Sequence, residues 1–391
     1  MLKGDNSNIN KRKMEKFKRV PLSVFYLIKC RCDTTRSIFR SRNINTNVAP
    51  KLGFTSQYVN SLFQGIISGN RASLAQSITL VESSNEQKKT AGQSLLGKCL
   101  KYIQEQEMRS IHPTISFRIG ISGPPGAGKS TFIEVFGKYL TSLGHKVAVL
   151  PIDPSSKITG GSLLGDKTRM PMLSVDENAY IRPSPAKGNL GGVTRTTNEA
   201  VLLCESAGYN IILIETIGVG QSEFMVSDMV DMFCLVIPPA SGDELQGIKK
   251  GIIEVADIVV INKSDGDLAP AARRIQGEYL SALKYLQRKS SVWTPTVLRI
   301  SSIQKQGIKE LWSHMTDFRN KLSENGELLQ KRDAQHKIWM WNYIQSKILD
   351  IFKNHPHVKE QLPELEQKVS HRIINPGFAA DTLLKSFMTK I

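Results

Sequence analysis

Residues 123–131 combine glycines, a lysine and a hydroxyl at a spacing that could do chemistry, because they fit the pattern G-x-x-x-x-G-K-[ST]. Glycines let the backbone wrap closely around a phosphate and turn several N–H groups inward. A helix that begins at the lysine would direct its positive end at the same anion. The predicted contacts to a bound nucleotide are Gly123, Pro124, Pro125, Gly126, Ala127, Gly128, Lys129, Ser130 and Thr131.

The residues around this loop favour a real P-loop over the alternative, a glycine-rich turn with no ligand. An apolar run over 117–122 precedes the loop, and a helical pattern over 131–140 follows it. In such a loop Lys129 reaches the β and γ phosphates, and the hydroxyl of Ser130 binds Mg²⁺. We therefore expect Lys129 to take part in catalysis.

A second motif could read the nucleotide base, since Asn262, Lys263 and Asp265 follow another apolar run. The carboxylate of Asp265 can accept hydrogen bonds from both N1–H and the amino group of guanine, a paired contact that adenine does not offer. Asn262 and Lys263 would support the loop and cover the base. The alternative is an aspartate that caps a helix, but the position after a strand and downstream of the P-loop favours GTP over ATP.

Acidic residues at the ends of apolar runs could serve a magnesium ion. Glu215 ends the run at 211–214, and an acid at such a position beside a P-loop usually serves the Mg²⁺ shell. Asp153 ends a second run, and Asp166 follows it in a glycine-rich stretch. The predicted metal residues are therefore Ser130, Asp153, Asp166 and Glu215, with Asp153 and Glu215 also counted as catalytic. An ordinary strand-ending acid and an Asp-Pro turn are the alternatives.

Other small residues could contact the nucleotide. Gly218 would let its N–H approach the γ phosphate, so residues 218–223 are expected to form a nucleotide-sensing switch. Ser301 and Ser302, after the last apolar run, are weaker candidates for backbone contacts to the guanine O6. Local chemistry does not distinguish two further glycine-rich stretches, 188–192 and 242–247, from surface loops.

The spacing of apolar residues predicts the elements that position these groups. Residues 56–110 and the chain from about 325, through 338–352 and 362–373, have helical periodicity. Between them, short apolar runs alternate with helical stretches, which predicts an α/β fold, a P-loop NTPase with a mainly parallel sheet. The predicted strands are 116–121, 146–151, 211–215, 232–237, 258–262 and 295–300. The predicted parts are a basic leader at 1–50, a helical extension at 51–114, the P-loop GTPase domain at 115–325 and a helical arm at 326–391.

The charge of +17 is unevenly distributed over the 391 residues. Residues 1–50 hold twelve Lys and Arg against three Asp and Glu, so +9 of the total lies there. The rest is spread without a dense stripe, and no aromatic-basic module for nucleic acid is present. This distribution favours an anion-binding enzyme with a basic leader, and we expect no nucleic-acid partner. No apolar stretch approaches the roughly 20 residues of a membrane span, so we expect no membrane partner.

The leader is typical of a mitochondrial transit segment, because it is rich in Arg and Lys and poor in acid. The alternative is a solvated tail. The five cysteines contain no C-x-x-C pair, which favours a reducing compartment, and the close pair Cys30 and Cys32 is only a weak metal signal. Together these features predict the mitochondrial matrix as the location.

Six motifs in order resemble one family, the methylmalonyl-CoA mutase-associated GTPases, which include the methylmalonic aciduria type A protein and bacterial relatives. The resemblance extends over about 55–391 and also includes RASLAQSITLVES at 71–83 and PGFAAD at 376–381. The motifs that carry it are GPPGAGKST, DPSS, GDKTRM, ETIGVGQSE, DELQGIKKG and NKSDGD.

The resemblance implies a GTP-hydrolysing chaperone that gates adenosylcobalamin delivery to methylmalonyl-CoA mutase and protects that enzyme. It implies GTP or GDP and Mg²⁺ as ligands and a homodimer formed through the C-terminal helices, and it brings in the cobalamin adenosyltransferase as a further partner. It also places residues 243–250 at the mutase contact. We therefore expect mutase binding to bring Lys249 toward the phosphates, with Asp243 and Gln246 holding it; the alternative is a solvated helix face.

Two other functions stay open from the sequence. A nickel-type metallochaperone GTPase is a close relative, but such proteins carry Cys and His sites near the core, and this chain has no Cys-Pro-His and no His tract. A small-molecule kinase would need an acceptor pocket with its own base, and the sequence indicates none. Transfer of phosphate to water or to an acceptor distinguishes these functions.

Overall fold

A parallel β-sheet is the centre of the fold. The computed structural model describes residues 56–83, 85–109, 116–153, 169–182, 184–185, 190–216, 221–239, 250–287 and 289–388. Within these residues the sheet has the order β3-β2-β5-β1-β6-β7-β8, with β4 paired to the end of β2 and every pair parallel. The strands are β1 (Phe117–Ser122), β2 (Val147–Asp153), β3 (Ala179–Ile181), β4 (Ser184–Pro185), β5 (Ile211–Thr216), β6 (Met232–Ile237), β7 (Ile258–Ile261) and β8 (Thr296–Arg299).

The predicted α/β fold with a parallel sheet is confirmed, and the six predicted strands lie within two residues of observed ones. Their runs are apolar on both faces because helices cover the sheet from both sides. All residues of β1, β5, β6 and β7 are buried. The prediction missed β3 and β4, since two or three residues are too few to show a pattern.

Three helices precede the sheet, in the region predicted to be helical: α1 (Ser56–Ile67), α2 (Arg71–Val81) and α3 (Glu86–Arg109). Asn70 caps α2, because its side-chain oxygen accepts a hydrogen bond from the N–H of Ser73 at 3.0 Å. Arg182, just after β3, binds Glu82 at 2.7 Å and the carbonyl of Ala75 at 3.2 Å. These contacts fasten the first helices to the edge of the sheet.

The helices between and after the strands lie on the two faces of the sheet. The glycine-rich stretch at 188–192 was indistinguishable from a surface loop in the sequence, but Gly191 and Gly192 lie in the first turn of a helix. The stretch at 242–247 lies outside the described residues. The helices between and after the strands are α4 (Lys129–Ser142), α5 (Pro171–Ser174), α6 (Leu190–Ser206), α7 (Gln221–Ser227), α8 (Lys250–Val255), α9 (Ala269–Lys284) and α10 (Ile308–Glu324). A 3₁₀ turn covers Gly266–Leu268.

The chain ends in α11 (Glu327–Asn354), α12 (Pro356–Ser370) and α13 (Pro376–Met388). The predicted helix at 362–373 is α12, which begins six residues earlier because proline is well suited to a first helical turn. The first part of α11 packs against the sheet and buries Leu328, Arg332 and Gln335. Its second half and α13 leave many large apolar side chains exposed. None of the described helices is long and apolar enough to cross a membrane.

A buried ion pair joins α11 to the amino ends of the strands. The guanidinium of Arg332 donates to both carboxylate oxygens of Asp231, at 2.8 and 2.6 Å, and to the carbonyl of Ser116 at 2.6 Å. Asp231 is fully buried and also accepts from the backbone N–H of Arg118 at 2.9 Å. Burial alone would raise the pKa of Asp231, but the charge of Arg332 outweighs it and lowers that pKa.

Three more side chains of α11 bind the segment between α7 and β6. Lys331 donates to the carbonyl of Asp231 at 2.6 Å. Gln335 donates to Val230 O at 2.8 Å, and the indole of Trp339 donates to Asp228 O at 2.9 Å. The start of α11 is therefore bonded to the sheet over more than two helical turns.

Candidate nucleotide-binding site

The loop at 123–128 connects the carboxyl end of β1 to the first residue of α4, as the sequence predicts for a P-loop. Gly123 has φ +149°, and a Cβ there would lie 1.9 Å from the carbonyl oxygen of Val236 on β6. Gly128 has φ +81°, and a Cβ there would lie 2.7 Å from the amide nitrogen of Asn262. Both positions require glycine, because the loop passes too close to its neighbours for any side chain.

Lys129 is folded back onto this loop. Its ammonium donates to the carbonyls of Gly123 at 2.7 Å and Pro124 at 3.1 Å, and the residue is only 8% exposed. Burial lowers the pKa of Lys129, while the carboxylates of Glu215 and Glu223 act in the opposite direction. A cation held at the mouth of a helix N-terminus is positioned to meet an anionic ligand.

Ser130 and Glu215, two of the predicted metal residues, are in contact. The hydroxyl of Ser130 donates to a carboxylate oxygen of Glu215 at 3.1 Å. Glu215 lies on β5 level with Ile121 of β1, so its side chain reaches the start of α4. Glu215 is buried, and its carboxylate with the serine hydroxyl forms the hard oxygen set that suits Mg²⁺.

The other predicted phosphate-side residues are described only in part. Asp153 is the last residue of β2, which pairs with β5 and ends at the same edge of the sheet as Glu215. Asp166, Gly218 and Lys249 lie outside the described residues, as does most of the predicted mutase-contact segment. Their roles stay predictions.

Asn262 links the two predicted motifs. Its amide donates to the carbonyl of Ala127 at 3.0 Å and lies 3.4 Å from that of Gly128. Its side-chain oxygen accepts from both the N–H and the hydroxyl of Ser302, at 3.2 and 2.8 Å. Asn262 thus ties the P-loop to the loop after β8. Ser301 lies in the same loop, where it pairs with Gln306.

Asp265 stands directly before the 3₁₀ turn Gly266–Leu268, but its side chain makes no capping hydrogen bond to that turn. The helix-capping alternative therefore has no contact in its favour. Lys263 has a left-handed backbone, φ 58°, and its side chain runs near Gly128. Ser264 holds the loop in place by donating from its N–H and its hydroxyl to the carbonyl of Ile300.

Sequence reasoning missed a buried chain of hydroxyls beneath the P-loop. Thr216 donates to the hydroxyl of Ser122 at 2.9 Å, and Ser122 donates to the carboxylate of Glu223 at 3.2 Å. It also missed Glu134 on α4, whose carboxylate accepts the N–H groups of Met172 and Leu173 at 2.7 and 3.1 Å. The partners are far apart along the chain, and neither contact has a local sequence signal.

Three features meet at one edge of a parallel sheet: the P-loop after β1, an acid near the end of the adjacent β5, and the predicted base-reading motif after β7. This combination of fold and site is that of a P-loop GTPase. Comparison with known proteins supports the assignment to the P-loop GTPases and identifies a family within that class. A family model described as "Methylmalonyl Co-A mutase-associated GTPase MeaB" matches residues 74–357.

Named relatives and a solved structure agree with that match. The chain is 60% identical over 334 residues to the "Methylmalonic aciduria type A homolog, mitochondrial" of Mus musculus, covering 85% of this chain and 80% of the relative. It is 49% identical over 330 residues to the Caenorhabditis elegans protein of the same description, with 84% and 83% covered. A crystal structure of "LAO/AO transport system kinase" has a TM-score of 0.65 and 34% identity, with 86% and 99% covered.

The chain therefore belongs to the methylmalonyl-CoA mutase-associated GTPase family, and it is a GTPase. The resemblance that the sequence motifs carry is confirmed.

Proposed function

We propose that this GTPase is a chaperone of methylmalonyl-CoA mutase, which uses GTP hydrolysis to gate adenosylcobalamin delivery to the mutase and to protect it. The observation that carries the proposal is the match of residues 74–357 to a family described as mutase-associated, in a chain whose P-loop and base-reading motif are physically joined through Asn262. By the same argument the bound ligands are GTP and GDP.

At the phosphates, the residues act by position and charge. Lys129 supplies the cation for the β and γ phosphates, and the backbone N–H groups at the start of α4 surround the same anion. Ser130 and Glu215, with Asp153 and Asp166, would hold Mg²⁺, and their oxygen chemistry fits that ion. Bound there, the metal would neutralise charge on the phosphate oxygens.

At the base, Asp265 would accept the two guanine donors, with Lys263 covering the ring. The hydrogen bonds of Ser264 to Ile300 O fix this loop to the end of β8. Ser301 and Ser302 would supply backbone groups near the guanine O6, and Ser302 is already held in place by Asn262.

The mutase would increase turnover through Lys249, with Asp243 and Gln246 holding the lysine toward the phosphates. A cation that reaches the γ phosphate stabilises charge in the transition state of hydrolysis. Lys249→Ala should therefore leave the slow basal rate nearly intact and remove most of the mutase-dependent increase, with GTP affinity little changed. Stimulation as strong as in the wild type, by a variant that still binds the mutase, would contradict this role.

A small-molecule kinase is the second candidate, because the similar structure at 34% identity is described as a kinase. A cavity of about 940 Å³ is lined by Ser116, Lys146 and Asn210, at the amino ends of the strands. The P-loop is at the other end of β1, about 20 Å away at roughly 3.3 Å per residue. This cavity therefore cannot present an acceptor to the γ phosphate. Release of all the ³²P from γ-labelled GTP as inorganic phosphate supports the GTPase alone.

The descriptions of the relatives support a proposed mitochondrial location. The mouse and worm relatives are described as mitochondrial, and the basic leader at 1–50 fits import into the matrix. A fusion of residues 1–50 to a reporter should enter mitochondria; a fusion that stays in the cytosol would contradict the proposed import. We also infer a homodimer and, as a further partner, the cobalamin adenosyltransferase.

The chaperone role is tested by co-purification. The full chain is immobilised with GDP or with a non-hydrolysable GTP analogue and mixed with methylmalonyl-CoA mutase. We expect capture of the mutase that depends on which nucleotide is bound. Asp265→Asn, loaded with the same guanine nucleotides at low concentration, serves as the control because it should lose the nucleotide effect. No capture in either state would exclude the proposed chaperone role while leaving the GTPase activity intact.

A further inference from the structure

The hydroxyl chain beneath the P-loop ends on the carboxylate of Glu223, the last residue of the predicted switch 218–223, to which no individual role has been assigned. Thr216, Ser122 and Glu223 are 0%, 0% and 3% exposed. Burying a carboxylate costs free energy unless the carboxylate is hydrogen-bonded, so a buried glutamate at this position indicates a role. Each hydroxyl has one proton, and the order Thr216 to Ser122 to Glu223 uses both protons in one direction. The direction requires an acceptor at its end, which Glu223 supplies.

The hydrogen-bond chain from Thr216 through Ser122 to Glu223 joins the ends of β5 and β1 to helix α7. Thr216 is the last residue of β5, directly after Glu215. Ser122 is the last residue of β1, directly before Gly123, whose carbonyl accepts from Lys129. Glu223 lies on α7. The hydroxyl chain therefore adds a side-chain link between the ends of two strands that already pair through their backbones, and it connects both ends to α7.

The neighbouring residue on α7 faces another helix. Phe224 is 40% exposed, and its ring lies against Gly251 on α8, where an added Cβ would come within 2.9 Å of the ring. Glu223 and Phe224 are adjacent, so α7 carries one contact to the P-loop base and one contact to α8. A shift of α8 would therefore press on the ring of the residue next to Glu223.

We infer that Glu223 is a positioning residue for GTP hydrolysis, which holds the start of the P-loop through Ser122, and that Phe224 couples this position to helix α8. Glu223 acts through Ser122 and not on the nucleotide itself. The inference concerns basal hydrolysis by the chain alone and does not depend on the chaperone role.

The first test compares two replacements of Glu223 in the full chain. Glu223→Gln keeps an oxygen that accepts from Ser122, whereas Glu223→Leu removes it. We expect Glu223→Leu to lower the single-turnover rate of GTP hydrolysis about tenfold, as small misplacements at a reacting centre do, with the Kd for GDP changed about twofold or less. Glu223→Gln should recover most of the rate. If Glu223 only stabilises the fold, both variants should have a lower melting temperature, while the folded protein should hydrolyse GTP at the wild-type rate.

A less drastic variant covers the case in which Glu223→Leu does not fold. Ser122→Ala removes only the hydroxyl at the centre of the hydrogen-bond chain. This variant should reproduce the slower hydrolysis with little change in GDP affinity. Hydrolysis at the wild-type rate by folded Ser122→Ala would overturn the positioning role of Glu223.

The coupling to α8 is tested by adding and removing bulk at one contact. Gly251→Ala places a methyl group against the ring of Phe224 and should lower the hydrolysis rate several-fold, about threefold or more. In a Phe224→Ala background the ring is gone, so the same Gly251→Ala change should have no further effect. Coupling through Phe224 is ruled out if Gly251→Ala does not change the hydrolysis rate of the wild type. It is also ruled out if Gly251→Ala lowers the rate by the same factor in the wild type and in Phe224→Ala.

Discussion

At the scale of single residues, we propose that nucleotide choice rests on the carboxylate of Asp265. Asp265→Asn presents an amide donor where guanine also donates, and a hydrogen bond to a charged group contributes about 1.5–3 kcal/mol. The variant should bind GTP about tenfold or more weakly and should favour xanthosine triphosphate, which has an acceptor at that position. Competition binding with the two nucleotides measures the change. Asp267→Asn, two residues away and exposed, is the matched control; equal GTP binding by Asp265→Asn and the wild type would reject the assignment.

His145 gives a second prediction, on pH. It is half-buried, and its Nδ1 pairs with the amide nitrogen of Asn210 at 3.0 Å. Burial lowers the pKa of His145 from its ordinary 6.5, and the charge of Arg319 adds to that effect. The unfolded chain therefore binds a proton more readily than the folded one, so the free energy of unfolding falls as pH decreases through about 6.5 and below.

Replacing His145 removes part of this pH dependence. His145→Gln should lose less stability than the wild type between pH 7.5 and pH 5.5 in urea denaturation, and replacing the exposed His371 by Gln should change nothing. An unchanged pH slope in His145→Gln would show that this site does not contribute. The remaining slope includes His336, whose pKa burial also lowers.

Much of the site could be predicted from single residues, because each motif consists of residues that are close together in the sequence. The P-loop, Glu215 and the Asn262 motif each have a fixed sequence pattern beside a strand, and the structure places them at one edge of the sheet. The pattern does not say what they touch. That Asn262 bonds to the P-loop itself, or that Glu223 closes a hydrogen-bond chain, depends on pairs about 100 or more residues apart. Only the folded backbone brings such pairs together.

At the scale of elements, the first two turns of α11 stabilise the sheet through charge. Removing one partner of a buried ion pair leaves the other charge without compensation, which costs about 3–5 kcal/mol. Arg332→Leu should therefore reduce the free energy of unfolding by about that amount, because Asp231 stays fully buried. Denaturant titration measures it.

The neighbouring residue provides the control. Lys331→Met breaks a half-exposed contact and should cost about 1 kcal/mol or less. If the two variants lose the same small amount, the ion pair of Arg332 and Asp231 is not what holds α11 to the sheet.

The elements themselves were predictable where they are long and regular. Strands such as β6 are continuous apolar runs, since both faces are covered, and the run itself marks their ends. The apolar face of α11 is divided in the structure. Trp339 packs on the core and donates to Asp228 O, whereas Trp341 and Ile348 are exposed. Periodicity shows that a helix has an apolar face and not which part of that face the same chain covers.

At the scale of the whole molecule, the exposed apolar side chains of the last helices support the proposed homodimer. Ile348, Ile351 and Phe378 are 42%, 50% and 65% exposed, more apolar surface than such helices normally leave to water. Replacing both Ile348 and Ile351 by Glu should convert a dimer into a monomer in light scattering, because two charges would be buried at the interface. Ile303→Glu, on a more exposed isoleucine after β8 (76%), should stay dimeric. A dimer that persists in the double variant would place the interface elsewhere.

The bond between Arg332 and Asp231 also has a consequence for the order in which the protein is made. Asp231 precedes β6, yet its partner is synthesised 101 residues later. Until α11 has left the ribosome, the middle of the sheet contains a carboxylate that cannot be buried favourably. The P-loop and the proposed magnesium and guanine residues all precede that point. A nascent chain therefore carries every proposed nucleotide contact before Asp231 can be paired, and GTP binding should begin only once residues beyond Trp339 are free to fold.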